Sequence, residues 1–213
     1  MKKNLIKRII FHFLGLFIMT FGIALSTKGG VGVASVSTIS FAGSKLTPLS
    51  FGMCSSLFHG FCFLSQIVIV RRFTARNLLQ IPMVYLFGLL LDVFSGILRF
   101  TAGNPVTGCL LVIAGTAIFS LGLRIILGAD FALTPPDGLA RTIGEKAGWP
   151  IAKAKLIFDV SIVTFSAALT FIFLGSPFIA VGLGTIISMV MTGPAIGFYY
   201  KLFPFFDVPK ESD

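Results

Sequence analysis

The sequence predicts an all-α membrane protein, with six transmembrane helices arranged as two inverted three-helix repeats. Three observations lead there. Apolar residues make up 55% of the 213 residues and charged ones only 12%, with a mean hydropathy of +0.97; soluble domains run at roughly 45–50% apolar and 25% charged. Six apolar runs are each about 20 residues long, enough to cross a hydrocarbon core about 30 Å thick. Two glycine-bearing runs repeat at an offset of 100 residues, the kind of self-similarity that marks an internal duplication. The length allows a single membrane domain, 1–213, and leaves no room for a separate soluble catalytic domain.

The runs lie at about 9–27, 50–70, 78–100, 106–128, 152–174 and 178–200. The first, in "MKKNLIKRIIFHFLGLFIMTFGIALS", has the basic start and small-residue spacing of a signal peptide, with Ala24 and Ser26 placed like a cleavage site. Its glycines recur in the fourth run, which argues for a retained span. The second run holds His59. The third holds Gln80, a kinking Pro82 and Asp92, for which Arg99 two turns on is a candidate partner. The fourth ends near Arg124, close enough to an interface to snorkel. The fifth carries Asp159, with Lys155 at the i−4 position.

Lys and Arg favour the cytoplasmic ends of spans. With the N-terminus inside, that side collects Lys2, Lys3, Lys7 and Arg8, then Arg71, Arg72 and Arg76, then five from Arg124 to Lys155, then Lys201 and Lys210. Only Lys28, Lys45 and Arg99 remain outside. The expectation is a multi-pass protein of the bacterial inner membrane with both termini in the cytoplasm.

At the 100-residue offset "LGLFIMTFGIAL" meets "AGTAIFSLGLRI", pairing Gly15 with Gly115 and Gly22 with Gly122. Small residues seven apart on one helix face let backbones approach closely. "STKGGVGVASVSTIS" then falls opposite "ILGADFALTPPDGLA", and a proline precedes the next run in each half, Pro48 and Pro150. The repeats are about 9–100 and 106–200. Three spans each is an odd number, so the second inserts upside down, as in many secondary transporters whose sites form near the midplane at broken helices.

Each half has an interrupted stretch after its first span. Pro135 and Pro136 cannot continue a preceding helix. They suit the first turn of a new one, with Asp137 favourable near its N-terminus. The stretch 136–147 is too short to span, and 33–44 is its hydroxyl-rich counterpart; re-entrant half-helices and ordinary surface loops both fit. Backbone that is not helical at membrane depth needs protein or a watery cavity beside it. Candidate substrate contacts are therefore Ser35, Ser37, Thr38, Thr134 and Asp137, with Asp92 added because an intramembrane acid is a functional pointer. Asp159 and His59 are candidates for ion or proton coupling. Helix N-termini would favour an anionic or zwitterionic ligand, the acids a cationic one.

A net charge of +9 without an exposed basic stripe of interleaved aromatics does not indicate nucleic acid. Cys54, Cys62 and Cys109 sit in apolar runs with no metal-ligand spacing. No phosphate loop, His-Glu-x-x-His or nucleophile elbow occurs, so neither catalysis, a cofactor nor a metal is expected.

The stretches "LGLFIMTFGIALSTKGGVGVASVSTIS" and "GLRIILGADFALTPPDGLARTIG" resemble the YczE/YyaS/YitT family of small bacterial membrane proteins. The resemblance implies six spans in the inner membrane and supplies no catalytic residues. The expected function is transport of a small solute at a midplane site between the repeats. The alternative is a scaffold or accessory protein that binds partner helices and the anionic lipids of the cytoplasmic face, and homodimerisation stays open.

Overall fold

The computed structural model describes residues 2–71 and 75–208, without the side chains of 2–4 and 75–79. Of the basic residues weighed for orientation, Arg72 and Lys210 lie outside the described residues, as do the side chains of Lys2, Lys3 and Arg76. The described chain is helical: α1 (Lys2–Thr27), α2 (Thr38–Leu46), α3 (Phe51–Val70), α4 (Ala75–Ile97), α5 (Pro105–Ala129), α6 (Pro135–Ala147), α7 (Ile151–Leu174) and α8 (Leu183–Leu202). Six of these are long and apolar enough to cross a membrane, and α2 and α6 are the short ones.

Local chemistry sets the boundaries. Asn104 caps α5 by accepting from the Thr107 N–H at 2.8 Å, with Pro105 pre-set for the first turn. Ser50 does the same for α3 through the Met53 N–H. The last span starts at Leu183 instead of about 178. Gly175 ends α7 in a left-handed conformation, Pro177–Ile179 forms a separate 3-10 turn, and Gly182 supplies the next start. α3 and α7 begin at Phe51 and Ile151, 100 residues apart, whereas the prolines ahead of them, Pro48 and Pro150, stand 102 apart.

Helices α1 and α5 form the spine. They run antiparallel and touch through glycines: a Cβ on Gly15 would stand 2.7 Å from the Gly122 carbonyl oxygen, one on Gly22 2.6 Å from that of Gly115, and one on Gly29 2.6 Å from that of Gly108. No real side chain tolerates those distances, so only glycine allows this approach, in which dispersion and weak Cα–H···O contacts replace side-chain packing. Around the spine lies a core of Leu16, Met19, Ile23, Phe87, Leu91, Phe94, Phe119, Leu123 and Ile126.

α1 packs on α4 and α5 on α8, while α3 packs on α6 and α2 on α7. Arg8 near the start of α1 bonds the Asp130 carbonyl at the end of α5, and Arg124 of α5 bonds the Phe203 carbonyl after α8. One end of the bundle, the terminal face, therefore gathers the start of α1 and the ends of α5 and α8. At the opposite face Lys28 Nζ donates to the Ser95 carbonyl, joining the ends of α1 and α4. Leu57, Phe61 and Leu64 on α3 and Val190 and Phe198 on α8 face outward, as apolar side chains in contact with lipid tails would.

Candidate functional site

Asp137 carries the centre of the site. Pro135 and Pro136 start α6, and Thr134, the residue before it, donates its hydroxyl to Asp137 Oδ2 at 2.5 Å. Lys155, in the first turns of α7, lies 2.8 Å from Asp137 Oδ1 and 3.0 Å from Asp159 Oδ1 one turn further along its own helix. One ammonium thus serves two carboxylates. Burial by itself pushes the Asp137 carboxyl up. The adjacent Lys155 charge, with hydrogen bonds from Lys155 and Thr134, more than offsets that and holds it below the usual carboxylate range. Asp137 therefore stays ionised at neutral pH.

These groups line a cavity of about 60 Å³. All six spans reach it: Met19 and Ile23 from α1, His59 from α3, Phe87 from α4, Phe119 and Leu123 from α5, Lys155 and Asp159 from α7, and Met189 and Thr192 from α8. Ser35 and Val36 enter from the turn before α2, and Thr134, Pro136 and Asp137 from the start of α6. A water needs about 10–15 Å³ measured this way, so the space suits a few waters or a compact solute. His59 packs against Phe87 with ring centroids 4.3 Å apart and the rings tilted by 36°. A smaller void of about 10 Å³ beside it is shared by His12, Met83, Leu133 and Pro135.

Five of the eight residues singled out from the sequence meet here: Ser35, His59, Thr134, Asp137 and Asp159. Ser37 and Thr38 are buried but do not line the cavity, and the Thr38 hydroxyl turns back to the Ser35 carbonyl at 2.7 Å. Asp92 lies elsewhere. Its carboxylate accepts from Ser50 Oγ at 2.5 Å and from the Gly52 N–H at 2.7 Å, capping α3 from the neighbouring helix. The expected partner Arg99 bonds the Gly96 carbonyl instead. The positive end of a helix meets a charged acceptor there, and free N–H groups attract it more directly than a side chain two turns away.

Arg124 does not snorkel. Its side chain is fully buried, 3.0 Å from Asp207 and stacked 3.8 Å from the Tyr200 ring, so it ties the chain after α8 to α5. Gln80 donates to the Leu133 carbonyl at 3.1 Å. Beside it Gln66, a polar residue in the apolar run "FLSQIVIV" that sequence reasoning passed over, donates to the Pro135 carbonyl at 2.8 Å. Lys155 itself was visible only as the i−4 neighbour of Asp159. Its second bond spans 18 positions back to Asp137, a distance no local pattern encodes.

Among the described residues no group of three His, Cys, Asp or Glu is placed to hold a metal ion. The three cysteines are free.

No solved structure matches the chain. It is 28% identical over 200 residues to the uncharacterized membrane protein YczE of Bacillus subtilis (strain 168), covering 93% of this chain and 87% of that one. A family model described as a family of unknown function, DUF6198, matches residues 6–201. With nearly its whole apolar helical body inside that match, the chain is a membrane protein of the YczE family and belongs to DUF6198.

Proposed function

We propose that the protein is a small-solute transporter of the bacterial inner membrane, neither an enzyme nor a cofactor protein, whose solute binds in the central cavity and carries positive charge. One observation carries this reading. Two carboxylates share a single ammonium in a cavity reached by all six spans. That leaves one negative charge unmatched in a low-dielectric setting, where an unpaired charge is costly and a cationic ligand relieves it. Asp137 already occupies the positive end of α6, so the anion-binding capacity of that helix start is spent internally.

The packing supports two inverted repeats with re-entrant second segments. Exchanging the halves turns the pair α1–α4 into α5–α8 and α3–α6 into α7–α2, and all four pairs are present. Alternating access would then be a rocking of one half against the other around the shared site. His59 and Asp159, equivalent in the 100-residue register, are the proposed coupling groups, with the basic terminal face in the cytoplasm against anionic lipids.

The test is thermal unfolding of the detergent-purified protein against small organic cations, anions and neutral solutes. A cation at 100 times its dissociation constant should stabilise wild type by about 2.7 kcal/mol, and Asp159→Asn should abolish the shift. Stabilisation only by anions would reverse the charge assignment, and none by any class would remove the central site.

A scaffold remains the second reading because Gly193 and Gly197, one turn apart on α8, face open space within this chain. Such spacing is what close helix–helix docking uses, with a second copy or another protein. Gly193→Leu would then disturb function in cells while Asp159→Asn would be silent.

A further inference from the structure

A second cavity, about 310 Å³, lies toward the terminal face, lined by Gln66, Gln80, Asp130, Leu133, Gly138, Arg141, Thr142 and Glu145 among others. Its wall on the inner side is the start of α6. Leu133 and Gly138 line this outer cavity, whereas Thr134, Pro136 and Asp137 line the central one. A single stretch of five or six residues therefore separates a polar space near the terminal face from the carboxylate–ammonium cluster.

The wall is held by side chains. Gln66 donates to the Pro135 carbonyl and Gln80 to that of Leu133. Both amide nitrogens are thus engaged, and the Gln80 side-chain oxygen is buried without a partner at the cavity. Glu145 is held by Arg141 at 2.8 Å, and Asp130 by Arg8. Among its buried side-chain atoms the cavity leaves the Gln80 oxygen, a hydrogen-bond acceptor, unmatched, which suits a donor-bearing solute. The stretch that carries the wall lies between two helix ends, Asp130 after α5 with φ 45° and Gly148 after α6 with φ 67°, and hinges are made of such element-terminal residues.

We propose that the 310 Å³ cavity is the cytoplasmic binding vestibule for the same cationic solute, and that residues 133–138, pinned by Gln66 and Gln80, are the gate between it and the central site. The solute docks against the Gln80 oxygen and Thr142, and passes inward when the two glutamine hydrogen bonds to the Pro135 and Leu133 carbonyls break. This rests on the transport reading above, yet it is tested without a ligand, so the two can fail separately.

The experiment uses single-cysteine variants in a background lacking Cys54, Cys62 and Cys109, reconstituted in vesicles of known sidedness, with membrane-impermeant methanethiosulfonates of either charge. Thr142→Cys should react from the terminal-face side alone, and faster with the trimethylammonium reagent than with the sulfonate once both rates are normalised to a free thiol. Ser35→Cys, in the central cavity, should react at least tenfold faster from that side when Gln66→Leu and Gln80→Leu are added. An unchanged Thr142→Cys rate when Gln66→Leu and Gln80→Leu are added to that variant shows that the fold persists. Failure of Thr142→Cys to react from that side, or a preference for the sulfonate, overturns the vestibule. A Ser35→Cys rate indifferent to the two glutamine substitutions overturns the gate.

Discussion

In the first half of the chain, the extended stretch before α2 is fastened by backbone to backbone: Gly184 N–H donates to the Val31 carbonyl at 2.7 Å and Val33 N–H to that of Ala180 at 3.3 Å. In the second half, the corresponding stretch before α6 is fastened by the tips of two glutamines. The acids differ likewise. Asp92 is consumed in capping α3, whereas Asp159 faces a cavity with Lys155 and Asp137. α3 also packs on α4, while α7 makes no comparable contact with α8. Under the proposed inverted repeat, the first half would serve as frame, and the charges and second segment of the other would be left free to act. Backbone bonds need an exact approach of two chains, here enforced by Gly32, Gly182 and Gly184, where any Cβ would collide with the facing chain. Side-chain bonds can be broken by a rotamer change.

The sharpest way to break this comparison is at Lys155. Lys155→Met strands two carboxylates, and removing one partner of a buried pair costs about 3–5 kcal/mol. Thermal unfolding in detergent should show it as the largest loss of any substitution named here. Adding Asp137→Asn and Asp159→Asn should recover most of it, because the charges then leave together. The pH dependence of wild type checks the same cluster. The Asp137 carboxyl is held below its ordinary value, so its contribution is complete above that value and is lost only as pH falls through the lowered one. Stability referred to Asp137→Asn should be flat from pH 8 to pH 5 and decline only in stronger acid.

Asp92 offers the contrast in the frame. Asp92→Ala removes acceptors from Ser50 and Gly52, and hydrogen bonds to a charged group contribute about 1.5–3 kcal/mol. A loss of about 2–3 kcal/mol with cation-induced stabilisation intact would keep Asp92 structural. Loss of binding would return it to the site. Gly22→Ala tests the spine that both halves share. Its new Cβ meets the Gly115 carbonyl oxygen at 2.6 Å, and overpacking of that kind costs about 1–3 kcal/mol. Gly96→Ala, which meets nothing within 4 Å, should cost far less in the same assay.

Much of this arrangement was legible in the sequence. Apolar runs of spanning length announce themselves by composition, and the Gly15/Gly22 and Gly115/Gly122 pairs marked helix faces suited to close approach, without showing that the two faces meet each other. Pro135, Pro136 and Asp137 marked the start of α6 because those residue types have few other uses in an apolar chain. What could not be read was pairing across the bundle. Asp92 and Asp159 look alike in sequence, each an acid inside an apolar run. Only the placement of the α3 N-terminus beside one and of Asp137 near the other separates a cap from a site. Gln66 and Gln80 were similarly mute, since the carbonyls they hold belong to a loop more than 50 positions away.

The smallest effect, and the finest test of the asymmetry, concerns two of the cations that join helix ends, Arg124 and Lys28. Arg124 meets the Phe203 carbonyl with Asp207 and Tyr200 as further partners. Lys28 meets the Ser95 carbonyl and forms no salt bridge among the described residues, and its own burial, then the nearby charge of Lys45, push its ammonium below the ordinary lysine value. A lowered lysine means the folded protein holds that proton less tightly than the unfolded chain. Between the lowered value and the ordinary 10.5, the unfolded state binds more protons, so folding stability should rise with pH across that window. Lys28→Met should therefore change stability at pH 7 by no more than about 1 kcal/mol, since one partly exposed hydrogen bond is exchanged for relief of an unfavourable charge. It should also remove the alkaline rise that wild type shows. If Lys28→Met instead costs as much as Arg124→Met, the opposite face is locked by charge as firmly as the terminal face, and the two halves differ less at their ends than at their centres.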